Sequence, residues 1–228
     1  HTWWMFVAGT LLIGVNLLLS PLCGFAVGWP KGIVLAVCGL ATLFWLVVAV
    51  PWLANRWRPT SPLLLAVAGW IVLIGAWVAI VQMQAHSPWL VLAAMAMVWI
   101  ADTAAYFAGR AFGRRKLAPQ VSPGKTWEGF YGGLAAVSIY ALALVPLAAE
   151  AGFRGMVSPI GAIVLVGLAL ALAALSVVGD LCESLLKRQA GVKDSGRLLP
   201  GHGGILDRID ALLAAMPAAA LLALAYLR

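Results

Sequence analysis

Carboxylates are scarce in this chain, eight in 228 residues, and five of them, Asp180, Glu183, Asp194, Asp207 and Asp210, lie between positions 180 and 210. The same stretch holds five basic residues, Lys187, Arg188, Lys193, Arg197 and Arg208, so it is densely charged yet neutral overall. That balance suits a phosphate bound through a divalent cation, with carboxylates on the metal and Lys or Arg on the phosphate oxygens. A self-paired network of ion pairs has the same composition, and spacing favours the first reading. Glu183, Ser184 and Lys187 follow Asp180 at three, four and seven residues, one face of a helix that continues inward from an apolar run. Asp207 and Asp210 are three apart and open the last apolar run, with Gly201, His202, Gly203 and Gly204 between the two helices. Glycines there let peptide N–H groups approach an anion without side-chain obstruction. A hard cation with oxygen ligands, Mg²⁺ above all, is the natural occupant.

A second charged segment has the opposite character. Arg110, Arg114, Arg115, Lys116 and Lys125 accompany a single acid, Glu128, a net charge of +4 that suits a polyanion directly. Asp102 lies roughly 10 Å before it along the preceding helix. Gly124, Lys125 and Thr126 look like the tail of a phosphate-binding P-loop, but Pro119 stands where that pattern needs Gly, and no strand is expected before it. Leu206 likewise breaks a G-x-G-x-x-G reading from Gly201. Lys125 can still meet phosphate as a point charge, and His202 reads as either a functional group or a hydrogen-bonding turn residue.

The elements that position these residues are set by composition. With 64% hydrophobic and 10% charged residues and a mean hydropathy of +1.00, the chain is far from the roughly 25% charged residues of a soluble domain. A soluble enzyme, a disordered regulator and a disulfide scaffold are excluded, and an all-α polytopic integral membrane protein is expected. Apolar runs predict about seven transmembrane helices, at 3–19, 33–53, 63–81, 89–108, 130–148, 160–178 and 212–227, with no strand-like alternation. One membrane-embedded catalytic domain over 1–228 follows, in which 1–90 are apolar spans and 91–228 bear the motifs. The chain opens on His1, not Met, so its amino-terminal helix region reads as truncated. Twelve of fifteen basic residues then face one side, all but Lys31, Arg154 and Arg228, as the positive-inside rule requires of the cytoplasmic face. Seven of eight acids share that side, Glu150 excepted. The net charge of +7 marks these loops and an anionic ligand; nucleic acid is not an expected partner. Cys23, Cys38 and Cys182 read as small apolar residues, and the Trp residues as interfacial belts.

Residues 184–210 combine Ser184, Lys187, Arg188, Lys193, Asp194, Pro200, Gly201, His202, Gly203, Gly204, Asp207, Arg208 and Asp210 in a pattern that resembles the signature of the phosphatidate cytidylyltransferases, or CDP-diacylglycerol synthases. Asp102 to Tyr106 and Val121 to Glu128 resemble the same family, so that the likeness covers roughly the last 130 residues. It implies a Mg²⁺-dependent reaction, with one cation or two, of CTP with phosphatidate to give CDP-diacylglycerol and pyrophosphate at the cytoplasmic face of the inner membrane. It also implies a homodimer whose substrates include membrane lipid. Asp180, Asp207 and Asp210 would hold metal, and Asp180, Asp207, Lys187, Lys193 and Asp194 would act in catalysis. Asp102, Ser122, Lys125, Arg188, His202, Gly203, Gly204 and Arg208 would bind substrate. Two rivals remain at this stage. Another CTP-using lipid enzyme, a lipid kinase or an archaeal-type lipid cytidylyltransferase, would change the acceptor or the group transferred. A transporter would place ionisable residues along a mid-membrane path, whereas every predicted span but the fourth is free of charge.

Overall fold

In the computed structural model, residues 28–150, 158–196 and 203–226 are described. The predicted span at 3–19 lies outside them, as do Cys23, Arg197, Gly201 and His202. Six helices long and apolar enough to cross a membrane account for the other predicted spans. The first is composite: α1 (Lys31–Leu43) widens through a π-helical stretch, Phe44–Ala49, into α2 (Val50–Asn55). Pro51 explains the widening, since it donates no backbone hydrogen bond and its ring crowds the carbonyl four residues back. α3 (Pro62–His86) and α4 (Pro88–Phe112) each begin on a proline that follows a serine, where the missing N–H costs nothing. A hairpin of β1 (Lys116–Ala118) and β2 (Ser122–Thr126) precedes α5 (Trp127–Glu150), α6 (Pro159–Gln189) and α7 (Leu206–Tyr226).

α7 is the centre of the bundle. Half of its most apolar window is buried, against 17–28% for the other spans, and it packs on α1, α3 and α6. Its Ala-rich face (Ala211, Ala214, Ala215, Ala219, Ala220) lets neighbours approach closely. Pro217 sits inside this helix and leaves the carbonyl of Leu213 without its usual donor. The indole Nε1 of Trp45, from the widened turn, donates to that oxygen at 3.1 Å. Trp45 and Trp52 are buried backbone donors, unlike the expected belt tryptophans; Trp57, Trp89 and Trp99 are exposed as a belt requires. Cys38 and Cys182 pack as small apolar residues, their thiols directed to the carbonyls of Gly75 and Ala49. Ile139, Ile160 and Ile163 are exposed on outer faces that lipid covers.

Two close helix contacts position the charged residues. A Cβ on Gly132 would lie 2.3 Å from that of Ala108, so α5 is pressed onto α4. A Cβ on Gly179 would lie 2.6 Å from the carbonyl oxygen of Asp210, so α6 crosses α7 immediately beside Asp180. α6 has 31 residues, about 46 Å at 1.5 Å each, against a hydrocarbon core of about 30 Å. It therefore runs eleven residues past its predicted end at 178 and carries Asp180, Glu183 and Lys187 beyond the apolar region.

The hairpin corrects the expectation of no strands. Lys116 pairs with Thr126 and Ala118 with Ser122, across an irregular register that accommodates Pro123 and Gly124. Pairing here comes from its anchors, not from alternation. Val121 is buried against Trp52, Leu181 and Leu185, Trp127 N–H donates to Arg115 at 3.0 Å, and Glu128 accepts from the N–H groups of Arg114 and Arg115 at 3.0 and 3.2 Å.

Candidate functional site

Asp180, Glu183, Ser184 and Lys187 share one face of α6 as their spacing predicts, and two charge centres form around it. In the first, Lys125 reaches from β2 to place its Nζ 2.5 Å from Asp180 Oδ2. Ser184 Oγ donates to the other oxygen of Asp180 at 3.4 Å. Asp102 from α4 and Asp210 from α7 each lie within electrostatic range of both Asp180 and Lys125. One carboxylate thus pairs with the ammonium directly, and two more, from two other helices, act on it through space. Among the described residues, Asp210 accepts the N–H of its neighbour Ala211, at 2.7 Å.

In the second centre, Lys187 lies between Glu183 and Asp207, 2.5 Å from Asp207 Oδ1 and paired with Glu183 Oε2. The remaining oxygen of Asp207 accepts three hydrogen bonds, from Ser195 N–H and Oγ at 2.8 Å each and from Gly204 N–H at 2.7 Å. Three donors thus crowd Oδ2, while Oδ1 meets the ammonium and keeps a lone pair. Gly203 adopts φ +81°, and a Cβ on it would meet Asp207 Oδ2 at 2.7 Å and Asp194 Cβ at 3.4 Å. The glycines therefore close the loop over Asp207, and the N–H of Gly204 is given to the protein's own carboxylate. Asp194 adjoins this turn from an exposed position.

Other predicted site residues stand apart from the two centres. Arg188 turns toward the hairpin, its Nε donating to Val121 O at 3.4 Å. Ser122 is half-buried at the start of β2. Lys193 is exposed after α6, and Arg208 is exposed in the first turn of α7.

Glu183 and Ser195 are participants that the site reading missed. Glu183 is buried, and its place three residues after Asp180 was the available signal. Ser195 meets Asp207 only through loop closure, which no spacing encodes. Thr126 is a third, buried and capping α5 by accepting from Gly129 N–H at 3.1 Å. Glu128, grouped with the acids by sequence, instead clamps the hairpin.

Among the described residues, no three His, Cys, Asp or Glu side chains form a metal cage by themselves. Mg²⁺ does not require one, because it keeps waters and takes one or two carboxylates together with substrate phosphates. The donor set fits such an ion: Asp180, Asp210 and Asp102 offer hard oxygens, and the Lys125 ammonium already stands among them as a cation.

Comparison with known proteins identifies the family. The chain is 46% identical over 193 residues to a phosphatidate cytidylyltransferase of Pseudomonas aeruginosa, covering 80% of this chain and 66% of that protein. It is 43% identical over 192 residues to the protein of the same name from Haemophilus influenzae, covering 78% and 62%. For that from Brucella suis the figures are 54% over 120 residues, 53% and 41%. The chain thus spans about two thirds or less of the length of these relatives. The sequence profile of the cytidylyltransferase family matches residues 3–226, nearly the whole chain, including both charge centres and the hairpin that carries Lys125. This multi-pass membrane protein belongs to the cytidylyltransferase family.

Proposed function

We propose that the chain transfers the cytidylyl group of CTP to phosphatidate, giving CDP-diacylglycerol and pyrophosphate. The observation that carries this reading is the ion pair of Lys125 with Asp180, with Asp102 and Asp210, from two further spans, within electrostatic range of both. The names of the relatives support the choice of substrates. The basic residues gathered at one end of the spans support an active site on the cytoplasmic face of the inner membrane. The family likeness supports a homodimer.

The reaction joins two polyanions. A phosphate monoester is already ionised at neutral pH, so the phosphatidate oxygen is its own nucleophile and no general base is demanded. It forms a bond to the α-phosphorus of CTP while the α–β P–O bond breaks in line, and pyrophosphate leaves with that electron pair. At about 4 Å and an effective dielectric near 20, each pair of like unit charges costs about 4 kcal/mol, which cations must offset. Lys125 and Lys187 are held on carboxylates at the place where phosphate oxygens would enter, and Arg110 to Lys116 run from the last turn of α4 into the strand that pairs with that of Lys125. Asp180, Asp207 and Asp210 would hold Mg²⁺, Asp207 by giving up one of its four donors. Bound there, Mg²⁺ supplies charge neutralisation on the phosphates and on the leaving pyrophosphate.

Purified protein in lipid, given phosphatidate, Mg²⁺ and CTP labelled at either the α- or the γ-phosphate, tests the reading. The α-label is expected in lipid and the γ-label in pyrophosphate. A γ-label in lipid would mean phosphate transfer and overturn the assignment.

A further inference from the structure

We propose that a pocket lined by Arg56, Arg58 and Arg188 is a second anion site, separate from the Lys125–Asp180 centre, that takes a phosphate group. The pocket has a volume of about 130 Å³ and lies between the loop after α2, the tip of the hairpin and the end of α6. Gln120 and Gln189 complete its polar wall, and its floor is Val121 and Leu185, both buried. That floor packs with Trp52 and Leu181, so the base of the pocket is part of the bundle's core.

Charge is the first reason. Three guanidinium groups line one small space, and among the described residues none of them pairs with a carboxylate. Arg56 bonds the neutral amide of Gln120, and Arg188 a backbone carbonyl, so their charges remain uncompensated. Phosphate oxygens match the fork of a guanidinium, and a bound anion would relieve the repulsion among the three.

Backbone geometry is the second reason. Arg56 is the one non-glycine residue with positive φ (50°) among the described residues, at a helix end where Gly or Asn is usual. The position keeps a guanidinium where the backbone would be relaxed without a side chain. The next peptide is fixed as well, because Trp57 O accepts from Trp52 Nε1 at 2.9 Å and from Gln189 Nε2 at 2.6 Å. Arg56 thus precedes, and Arg58 follows, the anchored carbonyl of Trp57.

Size and place define the ligand. The volume is well under the roughly 300 Å³ at which pockets accept a drug-sized molecule, so a phosphate group fits and a whole nucleotide does not. Arg188 lies about 12 Å along α6 from Asp180, so the pocket stands beyond the first centre, at the ends of two spans and the tip of the hairpin. A lipid headgroup at the interface and a free polyphosphate can both present a phosphate there. The inference requires only phosphate recognition, not cytidylyl transfer.

The full chain carrying Lys125→Gln and Asp180→Asn, in phosphatidylcholine nanodiscs without divalent cation, provides the test with the ion pair of the first centre neutralised on both sides. Pyrophosphate binding is measured by calorimetry, and phosphatidate binding by native mass spectrometry of nanodiscs containing it. Adding Arg56→Gly and Arg58→Gln is expected to weaken binding about tenfold or more, with thermal unfolding unchanged or raised because Gly suits the left-handed position. Loss confined to phosphatidate assigns the site to a headgroup, and loss of pyrophosphate assigns it to a soluble phosphate. Equal binding of both ligands with and without the arginines overturns the proposal. Labelled-CTP turnover of the otherwise native chain separately reports on the reading above.

Discussion

The two charge centres on α6 are made of the same residue types, but their carboxylates are occupied differently. Around Lys125, Asp180 alone makes an ion pair, Asp102 and Asp210 lie within electrostatic range of it, and the three carboxylates accept few hydrogen bonds among the described residues. Around Lys187, Asp207 accepts from four donors, the ammonium on Oδ1 and Ser195 N–H, Ser195 Oγ and Gly204 N–H on Oδ2. The first centre has capacity left for a cation and phosphates. The second spends its capacity on tying the loop before α7 to α6. Both belong to one proposed site, since Asp210 and Glu183 lie within range of each other.

Substitutions can break this contrast, and the largest effect is expected at Asp180. Asp180→Asn should lower CDP-diacylglycerol formation by roughly 10²–10³-fold, the scale of losing a transition-state charge partner, while thermal unfolding stays near that of the parent protein. Asp207→Asn should also remove most turnover, but with a loss of about 1–3 kcal/mol of stability, because an amide leaves donors of Lys187, Ser195 or Gly204 unmatched. Equal unfolding temperatures for these two variants would erase the distinction between the centres. Asp210→Asn is expected to act through metal: chelation stops turnover, Mg²⁺ restores it, and the variant needs about tenfold more Mg²⁺ for half-restoration. An unshifted Mg²⁺ titration would remove Asp210 from the first centre. Glu128→Gln should give the smallest change, a few-fold rise in KM for CTP with kcat retained, since it loosens the base of the hairpin that carries Lys125.

The spans were legible because apolar runs of membrane length leave little choice, and the face of Asp180, Glu183 and Lys187 followed from helical spacing. Helix ends were less legible. α6 passes its apolar limit at 178 and α7 begins at Leu206 because both helices continue in water, where hydropathy gives no boundary signal. The hairpin was hidden since Ser122–Thr126 contains Pro and Gly and shows no alternation; contacts of Val121 and Glu128 hold it. Sequence grouped Glu128 with the other acids by charge alone, and only the fold separates a clamp from a ligand-facing carboxylate. The bonds from Ser195 to Asp207 arise from loop closure, a long-range event that local spacing does not carry.

Trp45 and Pro217 are two backbone irregularities that complete one another across 172 positions, counting from the widened turn of the first described span to the middle of the last. Neither should be freely exchangeable alone. Phe at 45 strands a carbonyl in the core, whereas Ala at 217 restores the helical donor and leaves the indole N–H without an acceptor. A double-mutant cycle on this pair should therefore be strongly non-additive, and over evolutionary time proline at 217 should be inherited together with a donor at 45.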